Sequence, residues 1–548
     1  MNTHQQIEFW INGKTQNIVY KATGIRIEYD QKREESINPV DWDVFLQNLY
    51  SIGKVHSGPD GKVRIDCAVN TKRLERLKTY LGALNLEYST LLQEYRKSKK
   101  KSYGECICAK SLVIWVNDEF DTHLLDDVFP NRIANNVSKV NEWIYQIHYQ
   151  NESLACQDFE LSSSKLTETD WLRFVEPNLV RNTINHGFSS KRNTNQGNAS
   201  KLRYFLDAGY EKGQSMERHC CPNELIGNEI LPPYVLGRAY KLLNFDPEIK
   251  INLKEDIKIA VLDNKLNLNH NAFKGMSNPE ISTLEFRALN STSDYASHGS
   301  CAQGLISGFE EDAIDKNSFK GFAVGIPILH IEMIEISEEG ASQTSLISIL
   351  NAISFAVFIY GARVLSCSWK FGYSEILENF IRKVVSMEFE NGGVAMVFAA
   401  GNGQSTTDFP ANIAEVISVG ATDLCGRFID RDYNKRTRCS DTDWYSASSK
   451  IDIAAPGDNL VCPHMQNRKD RYYHENSNTY YPYFTCYGTS AAVPIVSAGI
   501  ALMLNNKGVF PSGKHIKQEL LDKYTFTQNK NWKENWGKGL IDFKNLQS

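Results

Sequence analysis

From Ile257 onward the chain repeats one pattern: a short, nearly uninterrupted apolar run, a polar loop, then apolar residues at helical spacing. The runs are Ile257–Leu262 (IKIAVL), Ala323–Ile331 (AVGIPILHI), Ala362–Ser368 (ARVLSCS), Val394–Ala400 (VAMVFAA), Val416–Ala421 (VISVGA) and Lys450–Ala454. Ser345–Tyr360, Glu375–Asn391 and Ile495–Leu504 carry the helical spacing. A strand with one wet face alternates apolar and polar residues, so a run without alternation is buried on both faces. Such strands, alternating with helices, predict an α/β fold of three layers around a mostly parallel central sheet. Functional groups in these sheets collect at the carboxyl ends of strands. Asp263 and Asn402 both follow strand ends.

A second stretch carries the chemistry. Phe484–Pro494 (FTCYGTSAAVP) puts Gly-Thr-Ser in a tight bend, then small residues, then the apolar helix Ile495–Leu504. A serine at a loop-to-helix corner exposes its hydroxyl while the first helical N–H groups stay free. That suits a nucleophile whose attack creates an oxyanion. Taken alone, the stretch reads equally well as a glycine turn before a core helix. A nucleophilic serine needs a histidine base, and the histidine needs a carboxylate to fix its tautomer. Asp263, His298 (opening the small-residue helix Ser297–Gly308) and Ser490 occur in that order.

The surroundings of these residues resemble the subtilisin-like serine proteases, the subtilases, from Ile259 to Asp542. Ile259-Ala260-Val261-Leu262-Asp263 is similar to the family's aspartate strand, and His298-Gly299-Ser300-Cys301-Ala302-Gln303-Gly304 to its histidine motif. Gly488-Thr489-Ser490-Ala491-Ala492-Val493-Pro494 resembles its serine motif, and Ala399-Ala400-Gly401-Asn402 its oxyanion segment. Phe409-Pro410-Ala411, Ile453-Ala454-Ala455-Pro456-Gly457 and Gly539-Leu540-Ile541-Asp542 agree as landmarks. The order Asp, His, Ser is that of subtilisin and not the Ser, Asp/Glu, His of α/β-hydrolases. The resemblance implies Ser490 as nucleophile, His298 as general base then acid, and Asp263 as its orienter. It implies the Asn402 amide and the Ser490 N–H as the oxyanion hole. It further implies that Leu365-Ser366-Cys367-Ser368-Trp369 is an edge to which substrate adds as a strand, with Ser366, Cys367, Ser368, Ala400 and Gly401 as substrate-binding residues.

The match has departures. Asn264-Lys265 follows Asp263 where the family commonly has a small hydroxyl residue and glycine, which puts the turn's geometry in question. Ser300-Cys301 replaces Thr-His. Cys301 lies three residues past His298, on the same helical face, and is expected as a buried thiol that could confer sensitivity to thiol reagents. No metal ligand is assigned. Many subtilases bind calcium, but the acidic stretch Glu310–Asp315 lacks EF-hand spacing and is expected as a solvated charged loop. No organic cofactor is needed. Cys462–Tyr483, rich in Tyr and Asn, has the length of a loop that shapes a binding site.

Residues 1–180 are expected to form an α+β N-terminal region. Ile18–Asp30, Val63–Ala68, Ser111–Val116 and Asn141–Tyr149 read as strands, and Asp41–Tyr50 and Thr71–Tyr95 as helices. The basic run Arg96–Lys101 reads as a solvated linker. Phe174-Val175-Glu176-Pro177-Asn178 resembles the end of subtilase propeptides, so the chain's own N-terminal region is the expected inhibitor, with its earliest part a candidate separate domain. Residues 181–230, rich in Asn, Ser, Lys and Gly, are expected as a linker, and 231–548 as the peptidase domain.

Composition excludes other classes. A net charge of −5 over 548 residues implies neither a nucleic-acid nor an anionic-membrane partner. No run approaches the ~18 apolar residues of a membrane span. Twelve cysteines in so long a chain, with no zinc-finger spacing, read mostly as buried or free thiols of a cytoplasmic protein. The expected function is a serine endopeptidase acting on a peptide or protein. The alternatives are a non-cleaving peptide-binding scaffold and a peptide-maturation transferase, in which an amine replaces water.

Overall fold

The computed structural model describes residues 9–11, 14–16, 18–30, 53–57, 62–68, 87–96, 101–117, 120–133, 136–166, 169–182, 236–252, 257–274, 280–283, 298–314, 317–336, 342–389, 392–403, 405–433, 445–463, 483–508, 510–527 and 531–547. The expected Asp41–Tyr50 helix and nearly all of the expected linker lie outside them.

The second half is built on a nine-stranded sheet. In spatial order its strands are Glu280–Thr283, Ile328–Glu332, Ile259–Asp263, Val364–Cys367, Ala395–Ala399, Ile417–Thr422, Ile453–Pro456, Leu540–Ile541 and Thr525–Phe526. All neighbours are parallel except the last pair. Side chains alternate between two cores. Ile259, Val261, Val397 and Ala399 face a layer containing the helices His298–Ser307 and Thr489–Lys507. Ala260, Leu262, Met396 and Phe398 face the helices Leu346–Ser354 and Glu375–Ser386. Burial on both faces is why these strands are apolar at every position. Among the described residues one helix, Thr489–Lys507, is long and apolar enough to cross a membrane, and 94% of its apolar window is buried inside this fold.

The first half forms an antiparallel sheet that runs into the second. Leu172–Asn182 pairs on one side with Lys101–Val116 and on the other with Ser342–Ser345 of the parallel-sheet half, Val180 opposite Ser345. The sixteen-residue strand Lys101–Val116 joins two parts of this sheet. Its start pairs with Glu87–Arg96 and its end with Ile144–His148. Ile18–Asp30 belongs to the same sheet as the propeptide-like strand, while the earlier Phe9–Ile11 and Lys14–Gln16 pair in a separate two-stranded sheet. Ser111–Val116 reads as continuously apolar for a visible reason. Leu112, Ile114 and Val116 face Ala155 and Phe159 of the helix Glu152–Lys165, while Val113 and Trp115 enter the core of the second half.

Three local expectations are corrected. Thr71–Tyr95 was expected as a helix, but Glu87–Arg96 is a strand, because pairing with Ile18–Asp30 and Lys101–Val116 outweighs local spacing. Of the basic run, Arg96 and Lys101 pair with each other, and residues 97–100 lie outside the described residues. The acidic stretch is solvated at Glu311 and Asp312 but is not wholly a loop: Phe309–Ile314 is a strand paired at its ends with Asn317–Lys320, and the Glu310 carboxylate accepts from the Tyr483 hydroxyl at 2.6 Å. Of Ala323–Ile331, only Ile328–Glu332 is strand; Phe322–Ile326 turns.

Candidate active site

Two strand ends and two helix starts lie on the carboxyl side of the parallel sheet. Asp263 ends the central strand Ile259–Asp263 and is fully buried. His298 opens the helix His298–Ser307, and its Nδ1 lies 2.7 Å from Asp263 Oδ1. That oxygen also accepts from the Asn264 backbone N–H at 2.7 Å. A carboxylate on Nδ1 fixes the neutral ring with its proton there and presents Nε2 as the basic nitrogen.

The turn after Asp263, the departure seen in the sequence, has its own logic. Asn264 Oδ1 accepts from the Gly299 N–H at 2.6 Å and so caps the histidine helix. A side chain at 299 has no room, since a Cβ there would stand 2.4 Å from the Asn264 carbonyl oxygen. That carbonyl accepts from Nε2 of the buried His330 at 2.6 Å. Burial pushes the His330 imidazole below its ordinary value, so it stays neutral with its proton on Nε2. His330 Nδ1 must then accept, and the Gln303 side-chain amide 2.9 Å away donates to it when its NH₂ faces the ring. Ser300 Oγ accepts from the Asn267 N–H at 2.8 Å and holds the same turn. Neither His330 nor Gln303 carried a signal in the sequence, because their partners come from other elements.

Ser490 is the second residue of the helix Thr489–Lys507, behind Gly488, whose φ of 114° only glycine adopts readily. Its hydroxyl donates to the Ser368 carbonyl at 3.0 Å, and the Ser368 hydroxyl donates to the Ser490 carbonyl at 2.9 Å. The second bond follows from Pro494. A helical carbonyl at 490 would receive the N–H of residue 494, which proline lacks, and Ser368 supplies the missing donor.

Asn402 follows the strand Ala395–Ala399. Its Oδ1 accepts from both the Thr489 N–H and the Thr489 hydroxyl at 3.1 Å. With the oxygen so engaged, the amide NH₂ is the edge offered to a ligand beside the serine-helix N-terminus. Gly401, at φ 109°, donates its N–H to Thr489 Oγ1 at 3.2 Å, and a Cβ there would lie 2.4 Å from Asp408 Oδ2. The substrate edge is narrower than expected. Ser366 and Cys367 belong to the ladder, Ser366 opposite Val261 on one side and Val397 on the other, Cys367 opposite Phe398. Ser366 thus has no free edge, Cys367 has a ladder partner only on the Ala395–Ala399 side, and Ser368 is the first residue beyond the ladder. Trp369 is core, edge-on to Phe398.

The family comparison now has its geometry. The Subtilase family (Peptidase_S8) matches residues 254–539, more than half of the sequence.

The chain belongs to the subtilase family.

A thermophilic serine proteinase of Bacillus sp. (strain AK1) is 29% identical over 216 residues, 39% of this chain and 44% of that protein. Fervidolysin from Fervidobacterium pennivorans, a keratinolytic enzyme related to subtilisin, superposes with a TM-score of 0.53 at 18% identity, covering 80% of this subtilase and 60% of that chain. The self-cleaved protease domain of PatA is similar at 21% identity and a TM-score of 0.39, with 54% of this chain and 97% of that one covered. The chain thus spans less than half the length of its curated relative.

The N-terminal half meets the subtilase fold through the helices Leu346–Ser354 and Glu375–Ser386. Trp115 packs edge-on against Phe380 at 6.2 Å, and Lys383 Nζ lies 3.9 Å from the Trp143 ring centre. Asn178 Oδ1 accepts from the Ile347 N–H at 3.2 Å. Glu176 Oε1 accepts from the first two N–H groups of the second helix, Glu375 at 2.6 Å and Ile376 at 3.0 Å. Burial, then the charges of Glu176 and Glu378, push the Glu375 carboxyl up to about 8.

Cysteines complete the picture. Cys301, Cys367, Cys462 and Cys486 are buried free thiols, and Cys425 is disulfide-bonded. Burial pushes the Cys301 and Cys462 thiols up. Burial acts the same way on Cys486, but hydrogen bonds from those two thiols bring it down to about 6.

Proposed function

We propose that this subtilase is a serine endopeptidase that hydrolyses peptide bonds through an acyl-enzyme, with residues 1–180 docked as a propeptide-like restraint. The observation that carries the reading is the buried His298–Asp263 pair at 2.7 Å, on the same carboxyl side of the sheet as a serine on a helix N-terminus. In the proposed reaction the Ser490 hydroxyl leaves the Ser368 carbonyl and gives its proton to His298 Nε2 as Oγ attacks the substrate carbonyl. The imidazolium so formed is balanced by Asp263 and returns the proton to the leaving amine. The Asn402 NH₂ and the Ser490 N–H receive the developing oxyanion. Ser368, Ala400 and Gly401 are the proposed contacts to substrate backbone. No organic cofactor enters these steps.

The restraint is supported by the register of Leu172–Asn182, which leads from the docked sheet toward the strand Ser342–Ser345, and by the Glu176 cap. Cleavage after the docked strand, within 181–230, would release it.

Intact-mass analysis over time, wild type beside Ser490→Ala, with and without calcium, together with fluorophosphonate labelling, tests the reading. The expected result is a label on wild type that is absent from Ser490→Ala, and shortening within 181–230 in wild type alone. A wild type that takes no label, with or without its N-terminal region, would point to the non-cleaving scaffold. Ligated rather than hydrolysed product ends would point to the transferase.

A further inference from the structure

Behind the histidine helix three sulfurs converge from three elements: Cys301 on His298–Ser307, Cys462 on the strand Leu460–Pro463, and Cys486 on its partner Tyr483–Cys486. Their Sγ atoms all lie within 4.8 Å of one another, and all three side chains are buried. Cys462 and Cys486 are the closest pair, Sγ to Sγ 2.8 Å. No spacing in the sequence announces the set, which only the packing of the hairpin on the helix creates.

We propose that Cys301, Cys462 and Cys486 form a structural site for one thiophilic d¹⁰ cation of zinc's kind. Zinc–thiolate bonds of about 2.3 Å at tetrahedral angles hold sulfurs about 3.8 Å apart. The cluster sits at that scale, with the closest pair needing to part by about 1 Å, within reach of side-chain rotation. A disulfide would use two of the sulfurs and leave the third without a role, whereas three thiols meeting at one point is the donor set of a soft metal. On binding, each sulfur exchanges its proton for a metal bond, so one divalent ion releases up to three protons to solvent, fewer if a thiolate is already present. The three sulfurs are buried, so the ion enters as the chain folds and brings with it the fourth, non-protein ligand that tetrahedral coordination requires. It ties the hairpin that precedes Ser490 to the helix that carries His298, and so couples two parts of the candidate active site through a bond that is not part of the reaction. The proposal does not rest on the hydrolase reading.

The test uses the full chain carrying Ser490→Ala. Protein unfolded in denaturant with chelator and reductant is refolded with and without cobalt(II), whose visible and charge-transfer bands report tetrahedral thiolate ligation. Protein purified without chelator is analysed for metal by mass spectrometry. The expected result is about one zinc per chain as purified and one cobalt per chain on refolding, with a thiolate charge-transfer band. Cys301→Ala, Cys462→Ser and Cys486→Ser each should weaken cobalt binding at least tenfold. Wild-type thiols that refold in cobalt without a band would overturn the proposal. So would a band that survives all three substitutions, or metal-free protein lighter by two hydrogens through a Cys462–Cys486 bond. Since the first and last readouts need no variant, misfolding of a cysteine variant leaves the outcome decided.

Discussion

The contact most open to measurement between the two halves is Glu176. It reaches the N-terminus of the helix Glu375–Ser386 and accepts from its first two N–H groups, while Ser374 serves the third through Leu377 at 3.1 Å. An α-helix leaves its first N–H groups without internal partners, so here the docked region completes the cap. Charge-assisted hydrogen bonds contribute roughly 1.5–3 kcal/mol each, and an anion at a helix N-terminus about 0.3–2 kcal/mol. Both bonds share one oxygen, so they do not add fully. About 3 kcal/mol is a reasonable total for Glu176→Ala, or roughly 100-fold in the local opening equilibrium. Glu176→Gln keeps an oxygen but loses the charge. Neutral bonds are about half as strong, which gives about 1.5 kcal/mol and roughly tenfold. Amide hydrogen exchange at Glu375 and Ile376, read by mass spectrometry in a Ser490→Ala background, should therefore rise in the order Glu, Gln, Ala.

The same assay carries a pH signature. In the docked form burial, then the charges of Glu176 and Glu378, hold Glu375 up at about 8, so undocking, which removes Glu176, favours release of its proton. By linkage, the contribution of Glu375 to docking is largest at low pH and is lost as pH rises through about 8. Gln at 176 removes one of the charges that raise Glu375 and should flatten that dependence. Exchange that stays within about twofold across all three side chains would refute the capping argument.

Three further outcomes are expected. Asp263→Asn keeps the contact but lets the His298 ring take the wrong tautomer, and turnover should fall by about 10⁴ with the fold intact by circular dichroism. Asn402→Ala removes an oxyanion donor; the corresponding loss in subtilisin costs about 10²–10³ in kcat, and a similar fall with little change in KM is expected from initial-rate kinetics. Ser368→Ala leaves the Ser490 carbonyl without the donor that replaces Pro494's missing N–H, and chemical denaturation should show a loss of about 1–3 kcal/mol.

The sequence by itself determined the layered α/β core and the order of its strands along the chain, and it singled out Asp263, His298, Asn402 and Ser490 as candidates. These are legible because burial on both faces leaves an unbroken apolar run. A residue that must stand at a strand end or helix start also keeps that place in the local pattern. Tertiary structure alone decided what joins distant segments. Glu87–Arg96 is a strand because its neighbours Ile18–Asp30 and Lys101–Val116 supply hydrogen bonds that its own spacing does not predict. Ser366 has no free edge because the Ile259–Asp263 and Ala395–Ala399 strands flank it. Asn264, a departure when read along the chain, is a helix cap once Gly299 is packed against it. Cys301, Cys462 and Cys486 meet only because a hairpin lies on a helix. Local pattern records how a residue relates to water and to its near neighbours. It holds no record of which far segment supplies the hydrogen bond, the cap or the third sulfur, and in this protein those distant partners set the geometry of the site.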